Sequence, residues 1–220
     1  KIKSNTMIHS FEPTPDLSEK IKREFYNDEK VKINNCGVAE KKGILNFYSY
    51  KYHKINSLVK IDEDTKFYKS RLFTSEKNKN DFLEIIKIKV TDIDSYCDEN
   101  NINEIDFIKI DTQGSEDLIL LGMDKMLTDN KISIIELELI LGFGYEENKS
   151  FYDYEKILKP KNYKLIAISN SGNIIGNSNY QTNLLYVKKD LYEKIENLHK
   201  VNEKIPDVME QTNKSYPFSY

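Results

Sequence analysis

A chain of 220 residues is long enough to bury one sizeable core without disulfides or a structural metal, so one ordinary domain is expected, with a lobe or tail added. Its 39% apolar and 31% charged residues fit a soluble globular protein on the polar side of average. A net charge of -3, with basic residues matched by acidic ones throughout, argues against nucleic-acid or anionic-membrane binding through bulk charge.

Thr6 to Phe11 reads as a short strand running into Glu12-Pro-Thr-Pro15, where Thr14 suits an N-cap and Pro15 the first helical turn. Leu17, Ile21 and Phe25 recur at four-residue spacing and mark the buried face of that helix. Val31 to Cys36 alternates as the next strand, and Ile44 to Tyr50 follows the Lys42-Gly43 turn as a third. Lys51 to Asp81 is polar and weakly patterned, a connection of a length that is usually functional or disordered. Ile85 to Thr91 alternates again, with Thr91 and Asp94 placed to open a helix carrying Ile93, Tyr96 and Cys97 on one face.

Phe107 to Ile110 is a further strand. The amphipathic run Asp117 to Leu127 follows it as a helix, with Ser115 as its cap and Glu116 and Asp117 complementing its positive end. Ile132 to Leu141 is a long apolar strand with Glu136 and Glu138 on one face, broken by Gly142-Phe-Gly144. Ser150 and Asp153 open a helix that Pro160 stops. Tyr163 to Ser169 and Thr182 to Val187 form an antiparallel pair across a Ser/Gly/Asn-rich connection. An amphipathic helix from about Leu191 to Val201 leads to a tail ending Tyr216-Pro-Phe-Ser-Tyr220, expected to be loose. The alternation of strands and helices implies an α/β fold with a doubly wound, mostly parallel sheet covered on both faces and an antiparallel pair at its end.

Several function classes lose their footing on the same residues. No apolar stretch approaches the ~20 residues that span a bilayer, and Lys1-Ile-Lys-Ser-Asn-Thr6 lacks the apolar core of a signal peptide. Cys36 and Cys97 lie far apart without histidines at ligand spacing, so no metal site is expected and a reduced, cytoplasmic setting is the simplest reading. His9, His53 and His199 form no constellation with a nucleophile. Asn170 to Asn179 lacks the lysine and helix of a phosphate loop, and Gly142-Phe-Gly144 is too short for a dinucleotide fingerprint.

In open α/β sheets, ligands sit outside the carboxyl ends of the strands. That places Asp111, Gln113 and Glu116, which follow an apolar strand directly, beside a cleft. Asp111 reads equally as a turn aspartate ahead of Gly114, and Glu116 reads better as serving its helix N-terminus. Glu136 and Glu138 must be solvated by a cleft, paired or partly protonated, because an unpaired buried charge is prohibitively costly; Lys109 is one candidate partner. Glu12 ends its strand as acids that bind ribose hydroxyls do, although a solvated turn glutamate fits the same position.

Together these residues resemble the FkbM family of S-adenosylmethionine-dependent methyltransferases. Ser10-Phe-Glu-Pro13 is similar to the family's strand-end Phe-Glu-Pro. Ile105-Asp-Phe-Ile-Lys-Ile-Asp-Thr-Gln-Gly-Ser-Glu116, continuing to Leu121-Gly122, is similar to its more specific signature. Val90 to Ser95 and the terminal strand pair fit the same pattern, so the likeness runs roughly from Met7 to Val187.

The resemblance implies a Rossmann-like sheet of order 3-2-1-4-5-7-6 and S-adenosylmethionine as cofactor. Residues 1–190 would form the methyltransferase domain, with 191–220 as an added helix and tail. It implies that Glu12 binds the cofactor ribose, that Asn35 and Cys36 lie near the adenine, and that Asp111 sits beside both the methionine end and the methyl acceptor. Asp111, Glu136 or Glu138 would supply the base that an alcohol acceptor needs. Gln113 stands where many members carry glutamate; it orients substrate by hydrogen bonds but cannot act as a base.

The implied acceptor is a sugar or another small hydroxylated molecule, and the oligomeric state is left open. The glycine-rich cofactor loop and first strand of such enzymes have no counterpart in the sequence, so they are expected upstream of Lys1, and the chain alone is expected to bind the cofactor poorly. A degenerate, non-catalytic domain that binds a partner or glycan is the alternative. A nicotinamide-dependent oxidoreductase also uses a strand-end acid for ribose, but offers no account of the Asp111 segment.

Overall fold

The computed structural model describes residues 6–51, 53–65, 83–141, 144–146, 149–169, 174–175, 178–179 and 181–201. The first half of the chain contributes β1 (Ile8–Phe11), α1 (Pro15–Glu24), β2 (Val31–Asn34), β3 (Gly37–Val38), β4 (Gly43–Tyr50), β5 (Leu83–Thr91) and α2 (Ile93–Asn100). There follow β6 (Ile105–Ile110), α3 (Glu116–Leu121), α4 (Asp124–Thr128), β7 (Ile132–Ile140) and α5 (Phe151–Leu158). The last elements are β8 (Tyr163–Ser169), β9 (Ile174–Ile175), β10 (Ser178–Asn179), β11 (Gln181–Lys188) and α6 (Lys189–Val201).

The mixed α/β class expected from the alternation is what the chain adopts, but the described strands do not join into one doubly wound sheet. The largest sheet has four strands in the order β6-β7-β11-β8. In it β6 and β7 are parallel, and β11 runs antiparallel to β7 and β8. β1 and β2 form a separate parallel pair. β5 sits between β3, which is parallel to it, and β4, which is antiparallel along its length. The strand expected over Val31 to Cys36 is shorter, ending at Asn34 as β2, and the two residues past Cys36 form β3 in a different sheet. Periodicity finds a strand but not its partner, and the antiparallel β4–β5 ladder makes the sheets mixed.

The main core gathers under the four-stranded sheet. Ile135 and Leu137 of β7, Leu120 of α3, Leu127 of α4, Leu158 of α5 and Tyr186 of β11 are fully buried in one cluster, with Ile93 and Cys97 of α2 joining them. Phe11 and Val38 pack against its margin, tying β1 and β3 to the larger sheet. A second cluster of Tyr50, Ile55, Ile61, Ile140 and Tyr145 brings part of the polar 51–65 segment across the far end of β7. Isolated bridges Tyr48↔Ser57 and Ile61↔Tyr145 fix it there. The remainder of the Lys51 to Asp81 connection, apart from residues 53–65, and the tail Tyr216–Tyr220 lie outside the described residues.

Several caps differ from the sequence expectation. Asp92, not Thr91, caps α2 by accepting from the Ser95 N–H at 2.7 Å. Asp94 instead reaches across to α4, accepting from the N–H groups of Lys125 at 2.8 Å and Met126 at 3.0 Å. The expected continuous helix Asp117 to Leu127 is two short helices, broken at Gly122 and Met123. A side chain at Gly122 would run into the Ala39 carbonyl, so glycine there allows the close approach of the β3 segment. Ser150 and Asp153 do open α5: Asp153 accepts from both the N–H and the hydroxyl of Ser150.

Candidate functional site

The site is built where β6 stops. Parallel register pairs Lys109 with Glu136 and Ile110 with Leu137, so Asp111 leaves the sheet one step on, beside Glu138. The chain then turns through Gln113 (φ 58°) and Gly114 (φ 99°) before α3 begins. In this conformation the Gln113 side-chain amide spans two carboxylates, donating to Asp111 Oδ1 at 3.1 Å and to Glu138 Oε2 at 2.7 Å. The Tyr145 hydroxyl donates to Gln113 Oε1 at 3.2 Å, which fixes the amide's orientation. Lys109 closes the group from outside, 2.7 Å from Asp111 Oδ2.

The turn is held from beneath by Glu116, whose side chain is 0% exposed. Its carboxylate accepts from the Thr112 N–H at 2.9 Å, from the Gly114 N–H at 3.0 Å and from the Thr112 hydroxyl at 3.3 Å. The Tyr154 hydroxyl reaches Oε2, the oxygen that also takes the Gly114 N–H, at 3.4 Å. The Thr112 carbonyl accepts from Ser57 at 3.1 Å and Ser115 at 3.2 Å, so the Ser115 hydroxyl bonds the preceding turn and does not cap α3. The Tyr145 ring lies against Gly114 so closely that a Cβ there would sit 3.1 Å from its Cγ.

Electrostatics follow from this crowding. Glu138 is 3% exposed, and its carboxyl is pushed up to about 7. Burial is the largest cause, followed by the negative charges of Asp111 and Glu116, with Lys109 pulling the other way. Burial also raises Glu116, against the stabilising pull of its backbone hydrogen bonds. Lys109 is raised chiefly by its hydrogen bond to Asp111. Glu136 is held differently, accepting from Asn183 Nδ2 at 2.9 Å.

The other sequence candidates gather at the ends of β1 and β2. Glu12 Oε1 accepts from the Thr14 N–H at 2.7 Å, so the acid closes the turn into α1, and no hydrogen bond from the Thr14 side chain caps that helix. Asn35 is exposed and donates through Nδ2 to the carbonyls of Glu12 at 3.0 Å and Pro13 at 3.3 Å. Cys36 is half-buried, and burial pushes its thiol up, away from thiolate chemistry. Asp111, Gln113 and Glu138 are thus joined directly, with Glu136 one register step away. Glu12, Asn35 and Cys36 form a second group. Among the described residues, no hydrogen bond or ion pair links the two.

Sequence reasoning missed Glu116 as the anchor of the turn, together with Ser57, Tyr145, Tyr154 and Asn183. Lys109 was considered as a partner of Glu136 or Glu138, and its direct partner is Asp111. A glutamate two residues past a strand-end glycine was the one visible signal. Ser57 and Tyr145 arrive from 55 and 32 residues away and carry none.

A mixed α/β domain with carboxylates gathered at the carboxyl end of a parallel strand pair has them where ligands of such sheets bind. The chain belongs to the FkbM methyltransferase family: the family model described as Methyltransferase FkbM domain matches residues 3–165. Among solved structures it is similar to methyltransferase FkbM from Methylobacillus flagellatus KT, at 14% identity and a TM-score of 0.44, over 81% of this chain and 36% of that one. The chain therefore spans little more than a third of that protein's length. No curated protein matches it.

Proposed function

We propose that this protein is an S-adenosylmethionine-dependent O-methyltransferase whose acceptor is a sugar or another small hydroxylated molecule. The observation that carries the reading is the Asp111–Gln113–Glu138 group: two carboxylates bridged by one amide at a strand end, one of them buried with a pKa of about 7. A base with that affinity is matched to taking a proton from an alcohol near neutral pH. When bound, S-adenosylmethionine supplies a methyl group on a sulfonium centre, ready for in-line displacement. Transfer of that methyl to a hydroxyl oxygen releases one proton, and this chain's carboxylates receive it.

Asp111 is the more exposed of the pair and, neutralised in part by Lys109, is the group that meets the acceptor hydroxyl. Glu138 lies behind it as the proton's resting place. Glu136, engaged with Asn183, is the lesser candidate for the base. Gln113 fixes the spacing between Asp111 and Glu138 and orients the acceptor. With the reactants held in place, positioning supplies much of the rate.

Glu12 fits the cofactor's ribose. One carboxylate oxygen is engaged by Thr14, and the second has no partner among the described residues, at a half-exposed strand end. Asn35 and Cys36, on the adjoining strand end, fit the adenine side. Residues 1–190 act as the methyltransferase domain, with 191–220 as an appended helix and tail, in a cytoplasmic protein. The strand pairs β2-β1 and β6-β7-β11-β8 are read as the methyltransferase order, with its first place filled by none of the described strands.

The deciding experiment uses the full-length protein and measures transfer of labelled methyl from S-adenosylmethionine to a panel of sugars and small alcohols, with Asp111→Ala and Glu12→Ala beside the parent. Turnover equal to the parent in both variants would sink the site assignment. Calorimetry showing no cofactor binding by the full-length protein would favour a non-catalytic binding domain.

A further inference from the structure

The geometry points to Glu116 as a positioning residue that works through Gln113, holding the strand-end turn so that one side-chain amide is shared between Asp111 and Glu138. This deepens the methyltransferase reading and rests on it.

A glutamate in the first turn of a helix is ordinarily exposed, where it interacts weakly with the helix dipole. Glu116 is 0% exposed and points back beneath the preceding turn. Its carboxylate collects the N–H groups of Thr112 and Gly114, the two residues flanking Gln113, at 2.9 and 3.0 Å. Gripping both neighbours fixes the backbone of the residue between them, which adopts a left-handed φ of 58° that non-glycine residues seldom enter. From that backbone the Gln113 side chain reaches Asp111 and Glu138 together. An ordinary extended or helical conformation would aim it elsewhere.

The remaining contacts brace the same element. Tyr145 packs on Gly114 and donates to Gln113 Oε1, while Ser57 and Ser115 hold the Thr112 carbonyl. Glu116 touches neither Asp111 nor Glu138 by a hydrogen bond. It therefore acts on the reacting groups at one remove, through the turn.

The test uses the full chain and needs no acceptor. In the unmodified protein, the side-chain NH2 resonances of Gln113 are expected to be shifted and slow to exchange, because both protons are bonded to carboxylates. Glu116→Gln keeps the size of the side chain, but its NH2 group opposes one of the two backbone N–H donors. Protection of the Thr112 and Gly114 amides is expected to fall about tenfold or more, the worth of a hydrogen bond to a charged group. The Gln113 resonances are expected to collapse to free-glutamine positions while the β7 amides stay protected. A role in stability alone would lower the melting point and leave the Gln113 resonances in place.

Should Glu116→Gln fail to fold, Glu116→Asp gives the same reading in milder form, since it keeps the charge but draws the carboxylate back from the Thr112 and Gly114 N–H groups. Ordinary Gln113 resonances in the unmodified chain, or unchanged ones in a folded variant, would overturn the proposal. Once an acceptor is known, Glu116→Gln is expected to lower kcat with the cofactor KM unchanged. If methyl transfer is never found but Gln113 responds to Glu116, the functional reading fails and the coupling stands. If transfer is found and Gln113 does not respond, the coupling alone fails.

Discussion

Two strand ends in this molecule carry an acid at the mouth of the sheet, and they are built in opposite ways. After β6, Asp111 enters a turn gripped by a buried carboxylate, two serine hydroxyls, a tyrosine ring and a lysine. After β1, Glu12 has one hydrogen bond to a residue two positions on, and its neighbour Asn35 lies exposed. The first is fixed by contacts from distant parts of the chain, the second by its own local turn. A step that depends on the alignment of a few atoms calls for the first construction. Under the proposed function, the second construction, with one carboxylate oxygen left over, would serve recognition of a ribose edge.

The largest effects should separate the two ends by kind of reaction constant. Asp111→Ala is expected to lower kcat by ~10²–10⁴, the usual worth of a positioned acid or base, with cofactor binding little changed. Glu12→Ala is expected to raise the dissociation constant of S-adenosylmethionine about tenfold, as loss of one charge-assisted hydrogen bond pair would, with kcat nearly intact. Both are read from steady-state methyl transfer and calorimetry. A Glu12 variant that loses kcat as Asp111 does would break the comparison.

Stability should divide the same way. Gly114→Ala meets two obstacles, a φ of 99° and the Tyr145 ring 3.1 Å from the new Cβ. It is expected to cost ~2–3 kcal/mol in urea unfolding, the range of a strained backbone position in a packed site. Wild-type stability in this variant would mean that the turn is free to rearrange.

A smaller effect is the pH dependence. Glu138 is raised from the ordinary glutamate range to about 7, and Glu116 is raised in the same direction. The folded protein therefore binds more protons than the unfolded chain across that window. Stability contributed by Glu138 is present at acid pH and is lost as pH rises from the ordinary glutamate range to about 7, by no more than ~1.4 kcal/mol per pH unit, and Glu116 contributes in the same direction. Asp111, Lys109 and Glu116 are the charged groups that set the Glu138 value. Urea unfolding at pH 5, 6 and 7 should show the decline, and Glu138→Gln should flatten it. An unchanged slope in that variant would place the extra proton elsewhere.

How far each strand end could be read from sequence differs for the same reason. Asp111 stood out because an apolar strand stopped at an acid and a glycine, a local pattern. The two acids within Ile132 to Leu141 had to be solvated, paired or partly protonated. Glu138 proves buried and raised, while Glu136 bonds Asn183. Glu116 opens α3 as expected, but its second role as a buried anchor was not legible, because a position two residues after Gly114 fits a helix N-terminus as well as a buried anchor. Only burial separates the two, and the tyrosine that reaches the buried carboxylate, Tyr154, comes from another part of the chain. That β2 stops at Asn34 and that β3, just past Cys36, joins another sheet was hidden likewise, because alternation records which face is apolar and not which strand lies alongside.

The smallest predicted effect probes the β1 end most directly. Thr14 was expected to cap α1, yet its buried hydroxyl has no hydrogen-bond partner among the described residues. Its own N–H is taken by Glu12, and its carbonyl by the Ser18 N–H. A capping threonine typically contributes ~1 kcal/mol, whereas an unsatisfied buried hydroxyl contributes nothing or costs stability. Thr14→Val removes the hydroxyl, preserves the shape and suits the extended backbone at φ -75° and ψ 117°. It is expected to leave stability unchanged or raise it by up to ~0.5 kcal/mol in urea unfolding. A loss of ~1 kcal/mol or more would mean that the hydroxyl caps α1 in solution. Glu12 bonds the Thr14 N–H and not its hydroxyl, so such a cap would add to the Glu12 turn and leave the β1 acid as it is.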